Sequence, residues 1–199
     1  MKNAKKSRMN LPNKLTILRV CMIPLFMVFL CVPLPLSDTA IRVTAAVIFL
    51  LTALTDMLDG KIARKYNLIT DFGKLMDPLA DKCMVFGAML GIIVYCEEIR
   101  LVFVWAAILV MARELAVTSL RLLAASSGGE VIAAAWLGKV KTVTQIVCIA
   151  AVLLEPVIPL AICREYHVLA YATTAAMAVM TVWSGVDYFR VYGKYIKME

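Results

Sequence analysis

Apolar residues run in long blocks, separated by short polar or proline-rich breaks. The blocks cover Leu15–Val32, Thr39–Thr55, Leu75–Tyr95, Leu101–Ala125, Val143–Leu160 and Leu169–Val191. Each falls in the range of about 17–25 residues that a helix needs to cross the hydrocarbon core of a bilayer. None alternates with the period of two expected of barrel strands. The pattern therefore predicts an all-α, polytopic membrane protein with six transmembrane helices. Pro33 and Pro35 end the first block, Ser126 to Gly129 break the chain after the fourth, and Pro156 and Pro159 interrupt the fifth. The second is expected to continue as a helix past the membrane face. Residues 1–12, with Lys2, Lys5, Lys6, Arg8 and Pro12, predict a basic arm leading into a short interfacial helix. No trusted cleavage site follows, so the first span is expected to remain in the mature protein. A short apolar stretch, Val131 to Leu137, precedes a basic segment, and residues 1–199 read as one domain.

Composition agrees with this pattern. Hydrophobic residues make up 62% and charged residues 18% of the chain, where soluble domains run nearer half and a quarter. The net charge is +7, but no basic-aromatic module points to nucleic acid. The charge is distributed as the positive-inside rule requires. Lys2, Lys5, Lys6, Arg8 and Lys14, then Lys61, Arg64, Lys65 and Lys74, then Arg121, Lys139 and Lys141, and finally Arg190, Lys194 and Lys197 fall on one side. Arg42, Arg100 and Arg164 fall on the other, diluted by Asp38, Glu97, Glu98, Glu155 and Glu165. Both termini and the loop after the second span are expected to be cytoplasmic. The six cysteines are scattered through apolar runs without metal-ligand spacing and read as small buried hydrophobes.

The candidate chemistry lies in DMLDGKIARKYNLITDFGKLMDPLAD, from Asp56 to Asp81. Asp56, Asp59 and Ala63 share one helical face, and Gly73, Asp77 and Asp81 share another. Two antiparallel helices joined by a short loop would bring these faces together, with Pro78 in the first turn of the third span and Thr70 or Asp71 capping it. Clustered carboxylates repel one another at a membrane edge, and divalent cations relieve that cost. Oxygen-only donors favour hard ions, chiefly Mg²⁺ and otherwise Mn²⁺, and two such ions can clamp a phosphoryl group undergoing in-line displacement. Gly60, Ala63 and Gly73 leave room for a ligand, and Arg64 is suited to bidentate contact with phosphate oxygens.

The segment resembles the signature of the CDP-alcohol phosphotransferase family, D-x-x-D-G-x-x-A-R, eight residues, G-x-x-x-D-x-x-x-D. Asp56, Asp59, Gly60, Ala63, Arg64, Gly73, Asp77 and Asp81 match it without departure. The resemblance implies that Asp56, Asp59 and Asp77 bind metals, and that Asp81 binds one and acts as general base. It implies two Mg²⁺ per site. Gly60, Arg64 and Thr70 would contact CDP-diacylglycerol, with Ala63 and Gly73 beside it. Asn13 to Thr16 resembles the family's N-terminal contact to the CDP group, for which the alternative at Asn13 is a helix cap. Homodimers and a bacterial plasma-membrane location follow from the same resemblance.

The signature does not name the acceptor alcohol. Arg113 lies within an apolar span, and Arg121 follows on roughly the same face with Glu114 as a local partner. An ionisable residue inside a membrane span marks a candidate functional site. Lys139 and Lys141 lie in GKVKTVTQ, entering the fifth span. Together these four cations suggest an acceptor bearing its own phosphate; plain membrane anchoring and an internal ion pair are the structural alternatives. NKLTILR, Arg113-Glu114 and GKVKTVTQ resemble the bacterial phosphatidylglycerophosphate synthase branch, which implies glycerol 3-phosphate. Phosphatidylglycerol, inositol phosphate and serine remain alternative acceptors. A divalent-cation transporter is the alternative from another class, although its carboxylates would sit nearer the bilayer midplane.

Overall fold

A computed structural model of the chain describes residues 11–65, 71–126 and 136–192; within these stretches it does not describe the side chains at 11–12, 59–65, 71–72, 74–75, 125 and 164. All the regular structure among the described residues is helical, with no strand. The helices are α1 (Leu11–Cys31), α2 (Asp38–Lys65), α3 (Asp71–Tyr95), α4 (Arg100–Ser126), α5 (Trp136–Leu154), the short α6 (Ala161–Tyr166) and α7 (Val168–Tyr192), with one 3₁₀ turn at Glu155–Val157. All but α6 are long and apolar enough to cross a membrane, so the chain is a multi-pass membrane protein.

Local chemistry sets the helix ends. The chain leaves α1 before Pro33 and Pro35, which bias the residues ahead of them away from helix. Ser37 Oγ accepts the Ala40 N–H at 3.2 Å and caps α2. Arg100 donates to the carbonyls of Ile93 and Val94, closing the C-terminus of α3. The fully buried Glu155 accepts the Leu169 and Ala170 amides at 2.7 Å each. A carboxylate there satisfies two orphan donors and suits the positive end of α7. His167, at φ 48°, takes the left-handed conformation that stops α6.

The helix bounds correct three expectations. Pro78 lies well inside α3, which begins at Asp71. It therefore removes a backbone donor two turns into the helix, rather than in the first turn where that donor is spare. Asn13 lies within α1 and is not its cap. α5 starts at Trp136, so Lys139 and Lys141 stand on the spanning helix rather than ahead of it. The arm at residues 1–10, most of the stretch from Val131, and Thr70 lie outside the described residues.

The two acidic helices do not pack mainly on each other. α1 lies along both α2 and α3, while α2 and α3 touch only sparingly. Close approach of α1 depends on Gly87 and Gly91, four apart on α3. A methyl group at Gly87 would come within 2.9 Å of Ile23, and one at Gly91 within 2.9 Å of Leu30. This is the small-residue spacing by which membrane helices reach van der Waals contact. Phe26 and Phe49 meet above it with ring centroids 6.1 Å apart. Interior hydroxyls bond back to their own helices, as Thr52 to Ile48 and Thr181 to Met177. Backbone and hydroxyl groups are thus satisfied without water. Outward faces remain apolar, as at Leu101, Trp105, Ile108, Leu115 and Leu122 along α4.

Candidate active site

At one end of the bundle, α1 sends a row of buried polar side chains toward the aspartates. Asn13, Thr16 and Arg19 recur every three residues and lie 9%, 1% and 1% exposed. Arg19 NH1 pairs with Asp56 Oδ1 at 2.7 Å. Thr16 Oγ1 donates to Asp77 Oδ1 at 2.6 Å. A buried arginine in a spanning helix needs a carboxylate, and the row explains how α1 ties α2 to α3 at this point. Asp56 is nevertheless partly open to solvent, and Asp77 is exposed. Asp81 lies one turn beyond Asp77, within electrostatic range of Asp56, Arg19, Lys141 and Glu114. Gly73 is buried on the same face of α3.

The chemistry of this donor set suits a hard divalent cation, because every candidate ligand is a carboxylate oxygen. Among the described residues no three such side chains are already gathered as a metal cage. Asp59 is on α2, but its side chain falls outside the described residues, as do those of Ala63 and Arg64; Gly60 lies on the same stretch.

Next to the aspartates is a cavity of about 300 Å³ between α3, α4, α5 and α7. Asp81, Arg113, Arg121, Lys139 and Lys141 all line it, so residues far apart in the chain share one space. Glu114 Oε1 accepts from Arg113 NH1 at 3.1 Å and also from Lys141 Nζ. That arrangement leaves Arg113 Nε and NH2, and Arg121 Nε, buried and without a hydrogen-bond partner among the described residues. Unsatisfied buried guanidinium nitrogens are costly, and a bound anion would satisfy them. Lys82, Thr118 and Tyr188 also line the cavity, and sequence reasoning passed over all three. Lys82 donates to Thr118 Oγ1 at 2.5 Å. Its position directly after Asp81 was a visible signal. Tyr188 reads as an ordinary residue of an apolar span.

A family model described as CDP-alcohol phosphatidyltransferase matches residues 9–185. The chain belongs to that family. Relatives of known designation agree with it. A Bacillus subtilis CDP-diacylglycerol–glycerol-3-phosphate 3-phosphatidyltransferase is 43% identical over 154 residues, covering 73% of this chain and 77% of its own. The Escherichia coli K12 protein of the same designation is 37% identical over 180 residues, covering 90% of this chain and 92% of its own. A probable phosphatidylglycerophosphate synthase of Mycobacterium tuberculosis is 39% identical over 179 residues, covering 90% and 79%. In this CDP-alcohol phosphatidyltransferase, the matched region takes in α1 to α6 and α7 as far as Gly185; Tyr188, which also lines the cavity, lies just beyond it.

Proposed function

We propose that this enzyme transfers the phosphatidyl group of CDP-diacylglycerol to glycerol 3-phosphate, releasing CMP and forming phosphatidylglycerophosphate. The observation that carries the acceptor is the composition of the cavity beside Asp81. Lys82, Arg113, Arg121, Lys139 and Lys141 face two carboxylates, Asp81 and Glu114, a net of +3 before any ligand enters. A phosphate monoester suits that balance, and a zwitterionic acceptor such as serine does not. Among the described residues Pro78 and Val117 are the only aliphatic side chains in the lining, which favours a small soluble acceptor over a second lipid.

In this reading Asp56, Asp59, Asp77 and Asp81 hold two Mg²⁺ ions, which when bound neutralise the pyrophosphate of the CDP-lipid. Gly60, Arg64 and Thr70, together with Asn13 and Thr16, would contact the cytidine diphosphate. The acceptor's phosphate rests on Arg113, Arg121, Lys139 and Lys141. Asp81 takes the proton of the acceptor hydroxyl as its oxygen bonds to the β-phosphorus and the bond to CMP breaks. The protein arranges the reactants in line and shields them, with the acyl chains left in the bilayer. The active site and both termini face the cytoplasm in this reading, where both the charged substrates and the excess of Lys and Arg reside.

The deciding experiment uses the full chain in detergent with CDP-diacylglycerol and Mg²⁺. CMP release is measured with glycerol 3-phosphate, phosphatidylglycerol, inositol phosphate and serine in turn, each with and without a chelator. Release with glycerol 3-phosphate alone, abolished by chelation and restored by Mg²⁺, is the expected result. Turnover with another acceptor in its place overturns the acceptor, and turnover in the presence of the chelator overturns the metals.

A further inference from the structure

One wall of the cavity carries no charge and has no part in the reaction just described. It is Tyr188 on α7, which is 4% exposed. Its ring lies 5.2 Å from Arg113 Cζ and 4.9 Å from Arg121 Cζ. Its hydroxyl accepts a hydrogen bond from Arg121 NH2. Tyr192, one turn on, stacks against the ring with centroids 5.8 Å apart and planes 10° apart. One turn earlier, Gly185 lies against the Arg113 stem, where a methyl group would come within 3.3 Å of Cγ. The face of α7 thus supports Arg113 at its stem and head, and Arg121 at its head.

Two guanidinium groups this close repel each other and gain by swinging toward a carboxylate. An aromatic ring within reach of both attracts each of them, more strongly where water is excluded. The edges are divided accordingly. Glu114 occupies NH1 of Arg113 and Tyr188 occupies NH2 of Arg121. Of the other nitrogens, Nε and NH2 of Arg113 and Nε of Arg121 are buried without a hydrogen-bond partner among the described residues. We infer that Tyr188 is a positioning residue that makes the enzyme selective for a phosphorylated alcohol, by holding the two arginines beside the cavity with those nitrogens left unpaired for an oxyanion. This rests on the cavity being the acceptor site.

The test compares the full-length enzyme with Tyr188→Leu, which removes the ring face, and Tyr188→Phe, which removes only the hydroxyl. For each, kcat and the KM for both substrates are measured, together with the preference for glycerol 3-phosphate over glycerol and the unfolding midpoint in detergent. Tyr188→Leu is expected to raise the glycerol 3-phosphate KM about tenfold and to lower the preference over glycerol by a similar factor, with the CDP-lipid KM within about twofold. Tyr188→Phe is expected to raise the acceptor KM about threefold. It decides the matter alone if the leucine variant does not fold. An acceptor KM that does not move in a folded variant overturns the role of Tyr188, as does an equal rise in both KM values. Failure of the acceptor reading shows itself separately, in a wild-type enzyme that uses another alcohol and not glycerol 3-phosphate; this inference then falls with it.

Discussion

Glu114→Gln tests the electrostatic arrangement of the cavity most directly. The carboxylate is 15% exposed, and its partners Arg113 and Lys141 are 9% and 8% exposed. At the 3.1 Å separation from Arg113, one pair is worth about 5 kcal/mol of gross Coulomb energy at an effective dielectric constant near 20. Desolvation offsets much of that, and removing one partner of a buried pair usually costs about 3–5 kcal/mol. Glutamine keeps an oxygen that can still accept, so the lower end, about 3 kcal/mol, is expected. For a chain of this size each kcal/mol lowers the midpoint by about 2–4 °C, which gives a fall of roughly 6–12 °C.

The second half of this prediction separates a structural ion pair from a binding site. With Glu114 neutral, two buried cations lack their counter-charge, and a phosphate ion in the cavity should compensate. Saturating phosphate at about one hundred times its Kd adds about 2.7 kcal/mol of stability. It should therefore recover most of the lost midpoint in Glu114→Gln. Unfolding followed by tryptophan fluorescence in detergent, with and without phosphate, is the assay. A variant whose midpoint stays within about 2 °C of wild type refutes the energetic reasoning. A destabilised variant that phosphate does not rescue refutes the cavity as an anion site.

Three further outcomes follow. Asp81→Asn should lower kcat by about 10²–10⁴ while leaving phosphate-induced stabilisation intact; near-normal turnover removes Asp81 as the base. Gly91→Ala should destabilise by about 1–3 kcal/mol through overpacking of α1 against α3, seen as a lower unfolding midpoint with unchanged substrate KM values; an unchanged midpoint means that the contact with Leu30, Phe26 and Met27 relaxes freely. Cys163, on α6 at the end away from the aspartates, should react with a membrane-impermeant maleimide from outside intact cells when the other cysteines are replaced; labelling only after permeabilisation reverses the orientation.

Much of this molecule is legible in its sequence because a bilayer imposes length and polarity so severely. The six spans need only apolar runs of sufficient length, and all six appear as helices. The spacing of Gly73, Asp77 and Asp81 survives because α3 is one continuous helix. What escaped depends on partners from other helices. Lys139 and Lys141 look like the flank of a span, so the helix was expected to begin after them. Its actual start at Trp136 is tolerable because Glu114, on a different helix, neutralises Lys141. Tyr188 escaped for a similar reason: nothing in its own segment marks it, and its role comes from two arginines on α4. The Gly87–Gly91 pair was visible at the spacing of close helix packing, but its partner, α1, was not.

A count of basic residues treats the two ends of the bundle alike except in number, and the structure adds a difference in kind. At the end away from the aspartates, Arg42 is held by Asp38 at 2.8 Å and Glu98 at 3.2 Å, with Tyr95 beneath it. Arg100 there is held by Glu97 and two backbone carbonyls. Those cations are consumed in fastening helices together. At the other end the cavity cations outnumber the carboxylates, and several guanidinium nitrogens are buried without a partner among the described residues. Burying such groups unpaired is a stability cost that membrane anchoring does not require, since an anchoring lysine or arginine can reach the headgroups instead. The excess is explained if an anionic substrate completes the site, so the asymmetry between the two ends also points to what the chain binds.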